Sequence, residues 1–188
     1  MTSLYNALKS SYGKQRSIRE LAKDGYIRDN QLSNHNQSIF YNKKKNKLLN
    51  SVAGTHNLSD VVTDAWLAVG GLNSTNRYKE AKSTLEKAKK KYKPKETAIV
   101  GHSLGGAIAQ KIGDKSDKVT TFNGAVLPFQ KSHTNETNYR TRGDVVSAFG
   151  INQKHTKTLN SSTPIIGRVD NFLKNHEVKK IKHEKIFI

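Results

Sequence analysis

The chain has 188 residues, and its 33 Lys+Arg against 15 Asp+Glu leave a formal net charge of +18. It contains no cysteine, which excludes a disulfide framework, a thiolate metal site and a cysteine nucleophile. Hydrophobic residues are 34% of the chain, enough for one core. The expectation is a single domain over 1–188, with a helical segment at 1–35 packed on it. No apolar run approaches the roughly 18 residues of a spanning helix, and Met1 to Lys14 lacks the apolar centre of a secretory signal. A soluble, intracellular protein with at most peripheral membrane contact is expected. The charge favours polyanions, either nucleic acid or an anionic lipid surface.

In chain order, Leu4, Leu8 and Tyr12 repeat at a spacing of four, and Ile18, Leu21 and Ala22 extend a helical face up to Gly25. Ser38–Tyr41 and Lys47–Val52 read as two strands joined by a hairpin tip, Asn42 to Asn46, with three consecutive lysines. Ser59 to Leu67 reads as a helix with Ser59 as N-cap, broken by Gly70-Gly71. Tyr78, Ala81, Leu85, Ala88 and Tyr92 form one apolar stripe on a helix that ends before Pro94, with lysines on its other faces. The stripe is the core face of a surface helix.

Thr97–Val100 is a short strand of buried type, and Leu104–Ile112 a helix rich in Ala and Gly. Val119–Phe122, Asn138–Arg142 and Thr156–Leu159 read as further strands, and Asp170–Ile186 as mostly helical. Strands alternating with helices predict an α/β fold with a mainly parallel sheet.

Between the strand at 97–100 and the helix at 104 lies Gly101-His102-Ser103-Leu104-Gly105, a G-x-S-x-G sequence. A strand-turn-helix setting is what a nucleophile elbow requires, because small residues two before and two after the serine let strand and helix approach. Ser103 is therefore the candidate nucleophile. Serine needs a histidine to take its proton and a carboxylate to orient that histidine, here in the chain order Ser, acid, His. Asp144 fits as the acid, since it follows a strand and a glycine turn. Asp114 and Asp117 close the elbow helix on its far end, and Glu136 reads as part of a polar loop. The histidine candidates are His155, His176 and His183. His176 is favoured over His183, which lies in a lysine-rich tail, and His155 is only eleven residues past the acid. His102 reads as a packing residue of the elbow, and His35 and His133 as loop histidines. An oxyanion hole takes one N–H from the residue after the nucleophile, Leu104, and one from an earlier loop. Ala53-Gly54-Thr55 at the end of a strand is the source expected, with Thr55 as donor and His56 at the rim.

These residues resemble the class 3 lipase family of α/β-hydrolases. Gly101-His102-Ser103-Leu104-Gly105-Gly106-Ala107 is similar to the family elbow almost letter for letter. Gly54-Thr55 with Asp60 and Asp64, Arg77-Tyr78, Tyr139-Arg140 with Gly143-Asp144, and Phe172 to His176 are similar to further family segments. The resemblance implies a compact α/β-hydrolase, with Ser103 as nucleophile, Asp144 as acid, His176 as base and Thr55 with Leu104 as oxyanion hole. It implies a lipid ester as substrate and no cofactor. Compact versions of this kind are familiar from large DNA viruses and their satellites, which suggests a viral origin. Two departures stand out. The family usually has arginine before the Gly-Thr pair, where this chain has Ala53. Secreted members carry an apolar lid, whereas Ala65 to Thr75 is short and modestly apolar. A monoester, phospholipid or lysophospholipid thus stands beside triacylglycerol as substrate.

A second class of function stays open. The scaffold would be catalytically weak and bind anionic membrane or nucleic acid through the lysines at 43–47, 87–95 and 179–185. Aromatic residues are 7% of the chain and do not interleave the basic runs, so specific nucleic-acid recognition is not expected.

Overall fold

The computed structural model describes residues 2–55, 72, 75–125, 135–144, 146–147, 155–160 and 176–188. Their centre is a seven-stranded sheet in the order β1-β2-β3-β4-β5-β6-β7. The strands are β1 (Ile27–Arg28), β2 (Gln37–Asn42), β3 (Lys47–Val52), β4 (Glu96–His102), β5 (Lys118–Phe122), β6 (Glu136–Thr141) and β7 (Thr156–Leu159). The first three pair antiparallel, and β3 to β7 pair parallel. This is the mainly parallel α/β architecture expected from the alternation of elements.

Strand alternation divides the core between the two faces. Ile39, Leu48, Val52 and Ile99 point to one face, under helices α3 (Asn76–Tyr92) and α4 (Leu104–Ile112). Phe40, Leu49, Ala98, Val100 and Phe122 point to the other, under α1 (Leu4–Ser11), α2 (Gln15–Lys23) and a 3-10 turn at Val178–Ile181. Both faces are covered, which is why β4 reads as a continuous apolar run instead of alternating. The stripe of α3 packs as expected: Ala81, Leu85 and Ala88 are buried and Tyr78 and Tyr92 lie against the same core. The Thr75 side chain caps this helix by accepting from the Tyr78 N–H, and Lys93, left-handed at φ 45°, ends it just before Pro94.

Three expectations change. The N-terminal helix is two helices, because Gly13 turns the chain at φ 71° between Tyr12 and Gln15. Glu136 opens β6 rather than sitting in a loop, and is buried with its carboxylate accepting from Gln110 and Asn138 side-chain amides. In the described part of the C-terminal segment, His176 is helical and a four-residue 3-10 turn at Val178–Ile181 follows in place of a continuous helix to Ile186. Val178 and Ile181 are its buried residues, three apart, and lysines fill the positions a longer apolar face would need. The short strand β1 carried too few residues to be read from the sequence. The helix expected at Ser59–Leu67, with Asp60, Asp64 and His56, lies outside the described residues, as does His133.

Register brings the functional segments to one edge. Val52, the last residue of β3, pairs with Gly101, and Phe122, the last of β5, pairs with His102. The residues that follow β3, β4, β5 and β6 therefore emerge together at the C-terminal ends of the parallel strands, where α/β sheets hold their sites. The hairpin tip between β2 and β3 lies at the opposite edge, where the Lys95 N–H donates to the Asn46 carbonyl at 2.9 Å.

Candidate active site

The elbow is a strained turn. Ser103 has φ 56° and ψ −129°, a conformation that costs a non-glycine residue on the order of 1–3 kcal/mol and persists only where its surroundings enforce it. Here the enforcing contacts are backbone ones. The Ser103 N–H donates to the Phe122 carbonyl, and the Ser103 carbonyl accepts from Gly106 and Ala125. Close approach needs glycine on the helix side: a Cβ on Gly105 would lie 2.4 Å from the carbonyl oxygens of both Val52 and Ala53.

Asp144 follows β6 and a Gly143 turn at φ 82°. His176 Nδ1 lies 2.8 Å from Asp144 Oδ1, and both side chains are buried. A carboxylate can only accept, so the proton sits on Nδ1 and the Nε2 lone pair is free. The other carboxylate oxygen accepts from the backbone N–H and hydroxyl of Ser147. Burial is the largest single influence on Asp144 and raises its pKa. The His176 ring beside it and the hydrogen bonds from His176 and Ser147 together outweigh it and hold the carboxyl below its ordinary value. Among the described residues, His176 Nε2 and Ser103 Oγ are both buried without a hydrogen-bond partner. Two such orphans at one site are unusual, since buried polar atoms are nearly always paired.

His102, beside the nucleophile, anchors the site from below. Its Nε2 faces the His176 carbonyl at 2.8 Å and must donate to it, so Nδ1 accepts from the Tyr12 hydroxyl at 2.7 Å. Burial, with the His176 ring 4.7 Å away between centroids, lowers its pKa to about 3. His102 is thus neutral with both nitrogens engaged, leaving it no role as a base. The side-chain amide of Asn123 donates to the same His176 carbonyl at 3.1 Å.

The loop after β3 is pressed against the elbow. A Cβ on Gly54 would meet Ser103 Cβ at 2.7 Å. The Gly54 N–H donates to the Tyr12 hydroxyl at 2.8 Å, and Arg77 Nη2 donates to the carbonyls of Ala53 at 2.7 Å and Gly54 at 3.3 Å. Thr55 is the next residue. Leu104 is the first residue of α4, where a backbone N–H has no acceptor within the helix.

Of the residues singled out by sequence, the structure brings Asp144 and His176 into hydrogen-bond contact, with Ser103, Leu104 and Thr55 at the same sheet edge. His183 and His155 are exposed and make no bond to Asp144. Asp114 and Asp117, at the far end of α4, bind Lys89 instead. Sequence reading gave no part in the site to Tyr12, Asn123 and Ser147. Arg77 was singled out only within the resemblance, and its contact with the Ala53 carbonyl, 24 residues back in the chain, has no local signal.

Residues 30–112, which include the Gly54-Thr55 loop and the elbow, match the family Lipase (class 3). The matched segment runs from the connection before β2 to the end of α4. Among solved structures the chain is similar to the Lip2 lipase from Yarrowia lipolytica (19% identity, covering 62% of this chain and 56% of that one, TM-score 0.46). It is also similar to a triacylglycerol lipase from Penicillium expansum (18%, 86% and 79%, TM-score 0.45), and to Rhizomucor miehei lipase in a propeptide complex (13%, 76% and 60%, TM-score 0.45). The chain thus spans little more than half the length of the Yarrowia enzyme. No curated protein matches it. Among the described residues no helix is long and apolar enough to cross a membrane.

Proposed function

We propose that the protein is a serine carboxylester hydrolase that acts on lipid esters through Ser103, His176 and Asp144. The observation that carries this reading is the buried Asp144–His176 hydrogen bond, which leaves an unpartnered Nε2 at the edge where the strained elbow holds an unpartnered Ser103 Oγ. In this reading Ser103 Oγ attacks the ester carbonyl as its proton passes to His176 Nε2, and Asp144 stabilises the imidazolium that forms. The tetrahedral oxyanion takes hydrogen bonds from the N–H groups of Leu104 and Thr55, the latter steadied through Tyr12 and Arg77. His176 returns its proton to the leaving alcohol, and water then opens the acyl-enzyme by the same steps in reverse. The substrate is a lipid ester of the triacylglycerol or phospholipid type.

The experiment is hydrolysis of p-nitrophenyl butyrate by Ser103→Ala, with folding checked by circular dichroism. Loss of about a thousandfold or more in kcat is expected. Turnover equal to that of the unaltered protein overturns the proposal.

A role through the basic surface alone is less well supported. The lysines of the hairpin tip, Lys43 to Lys45, sit at the sheet edge opposite Ser103, and Lys89, Lys91, Lys47 and Lys118 are engaged with Asp114, Asp117, Asp29 and Glu96. Docking an anionic surface on the hairpin tip would turn the elbow away from it.

A further inference from the structure

A pocket of about 300 Å³ opens beside the elbow, between Thr55 and His102 on one side and the N-terminal helices on the other. Lys9 of α1 and Lys14 at the start of α2 line it, with Tyr12 between them and Glu177 across from them. Glu177 is engaged by Lys179 at 2.7 Å. Among the described residues neither Lys9 nor Lys14 has a carboxylate within ion-pair distance, although half of the described acidic side chains hold a lysine. Lys9 is half-buried, so its charge is held where water screens it poorly. Burial above all, and the Lys14 and Lys179 charges, lower its pKa, while Glu177 alone acts to raise it. Like charges gathered in a concave, partly desolvated wall are stabilised by an anion. The wall belongs to α1 and α2, outside the segment 30–112 that matches the lipase family.

We propose that this pocket is an anion subsite: Lys9 and Lys14 take the phosphate group of an ester substrate whose carbonyl lies over Ser103. The proposal rests on the esterase reading above and narrows its substrate class to acylated glycerol phosphates. The phosphate gains two charge-assisted contacts, the neutral glycerol ester gains none, and the pocket therefore selects between esters that are identical at the scissile bond.

The test uses a matched pair of water-soluble substrates, 1-butyrylglycerol and 1-butyrylglycerol 3-phosphate, with Lys9→Gln, Lys14→Gln, the double variant and the charge-keeping Lys9→Arg. The unaltered protein is expected to favour the phosphorylated ester in kcat/KM. In the double variant that preference falls about tenfold, through KM, while Lys9→Arg retains it. Lys14 is exposed, so Lys14→Gln gives a partial loss free of folding effects. An equal preference in the unaltered protein and the double variant overturns the subsite. Inorganic phosphate and glycerol 3-phosphate are added as competitors; inhibition by inorganic phosphate as strong as the KM of the phosphorylated ester overturns assignment to a lipid phosphate in favour of the free ion. Binding of glycerol 3-phosphate to the unaltered protein and the double variant is followed by calorimetry as well. If neither ester is hydrolysed but this binding is lost in the double variant, the esterase reading fails and the subsite stands. If the binding is the same in both, the subsite fails.

Discussion

His102 ties protonation to folding. In the folded protein its pKa is about 3, against 6.5 for the ordinary imidazole. Between these values the unfolded chain binds a proton that the native state refuses, so stability falls as the pH is lowered from about 6.5 towards 3. At pH 4.5 the unfolded imidazole is almost wholly charged and the folded one almost wholly neutral. Relative to pH 7, His102 alone then removes about 2–3 kcal/mol. That is a large share of the roughly 5–15 kcal/mol a domain has. With an m-value of about 2 kcal/mol per molar urea, the midpoint moves by about 1 M. The assay is urea unfolding followed by tryptophan fluorescence and circular dichroism at both pH values, for the unaltered protein and for His102→Gln. The glutamine is neutral at every pH, so it destabilises by a constant amount and its pH-dependent loss is smaller by about 2–3 kcal/mol. Equal pH-dependent losses in the two proteins would refute the reasoning, because the proton would then not be excluded from the Tyr12–His102–His176 chain.

Two further outcomes are expected. Asp144→Asn removes the carboxylate that fixes the His176 tautomer, so kcat on p-nitrophenyl butyrate falls about 10³- to 10⁴-fold with KM little changed; a KM effect alone would contradict the assignment. Gly105→Ala brings a Cβ within 2.4 Å of two carbonyl oxygens, so despite alanine's better helix propensity it destabilises by about 2 kcal/mol or more. A melting temperature equal to or above that of the unaltered protein would show that the β3 loop can give way.

Local information determined the elbow. Strand, turn and helix are contiguous from 96 to 112, and the glycine at 101 answers a contact inside the elbow, with Gly105 and Gly106, so the pentapeptide carries its own context; the glycine at 105 answers the carbonyls of Val52 and Ala53, which only the fold brings near. The α3 stripe, the β2–β3 hairpin and β7 were legible for the same reason: a period of 3.6 or 2, or a short polar tip, is written along the chain. Asp144 could be read from chain order and the glycine before it.

Contacts across the sequence were not legible. His102 and Tyr12 are 90 residues apart and no spacing rule joins them, whereas Asp144 and His176, 32 apart, were singled out through chain order and the resemblance. The break at Gly13 hid inside a continuing apolar pattern, and Glu136 was taken for a loop residue because its buried partner, Gln110, comes from α4. The charge shows the division most plainly. Composition determined that the protein carries +18, but not where on its surface the lysines lie. Strand order and direction decided that: they send Lys43 to Lys45 to the edge opposite Ser103 and bring Lys9 and Lys14 beside Thr55 and His102. Net charge is a sum over residues, whereas a field at one site depends on distances that only the folded sheet sets.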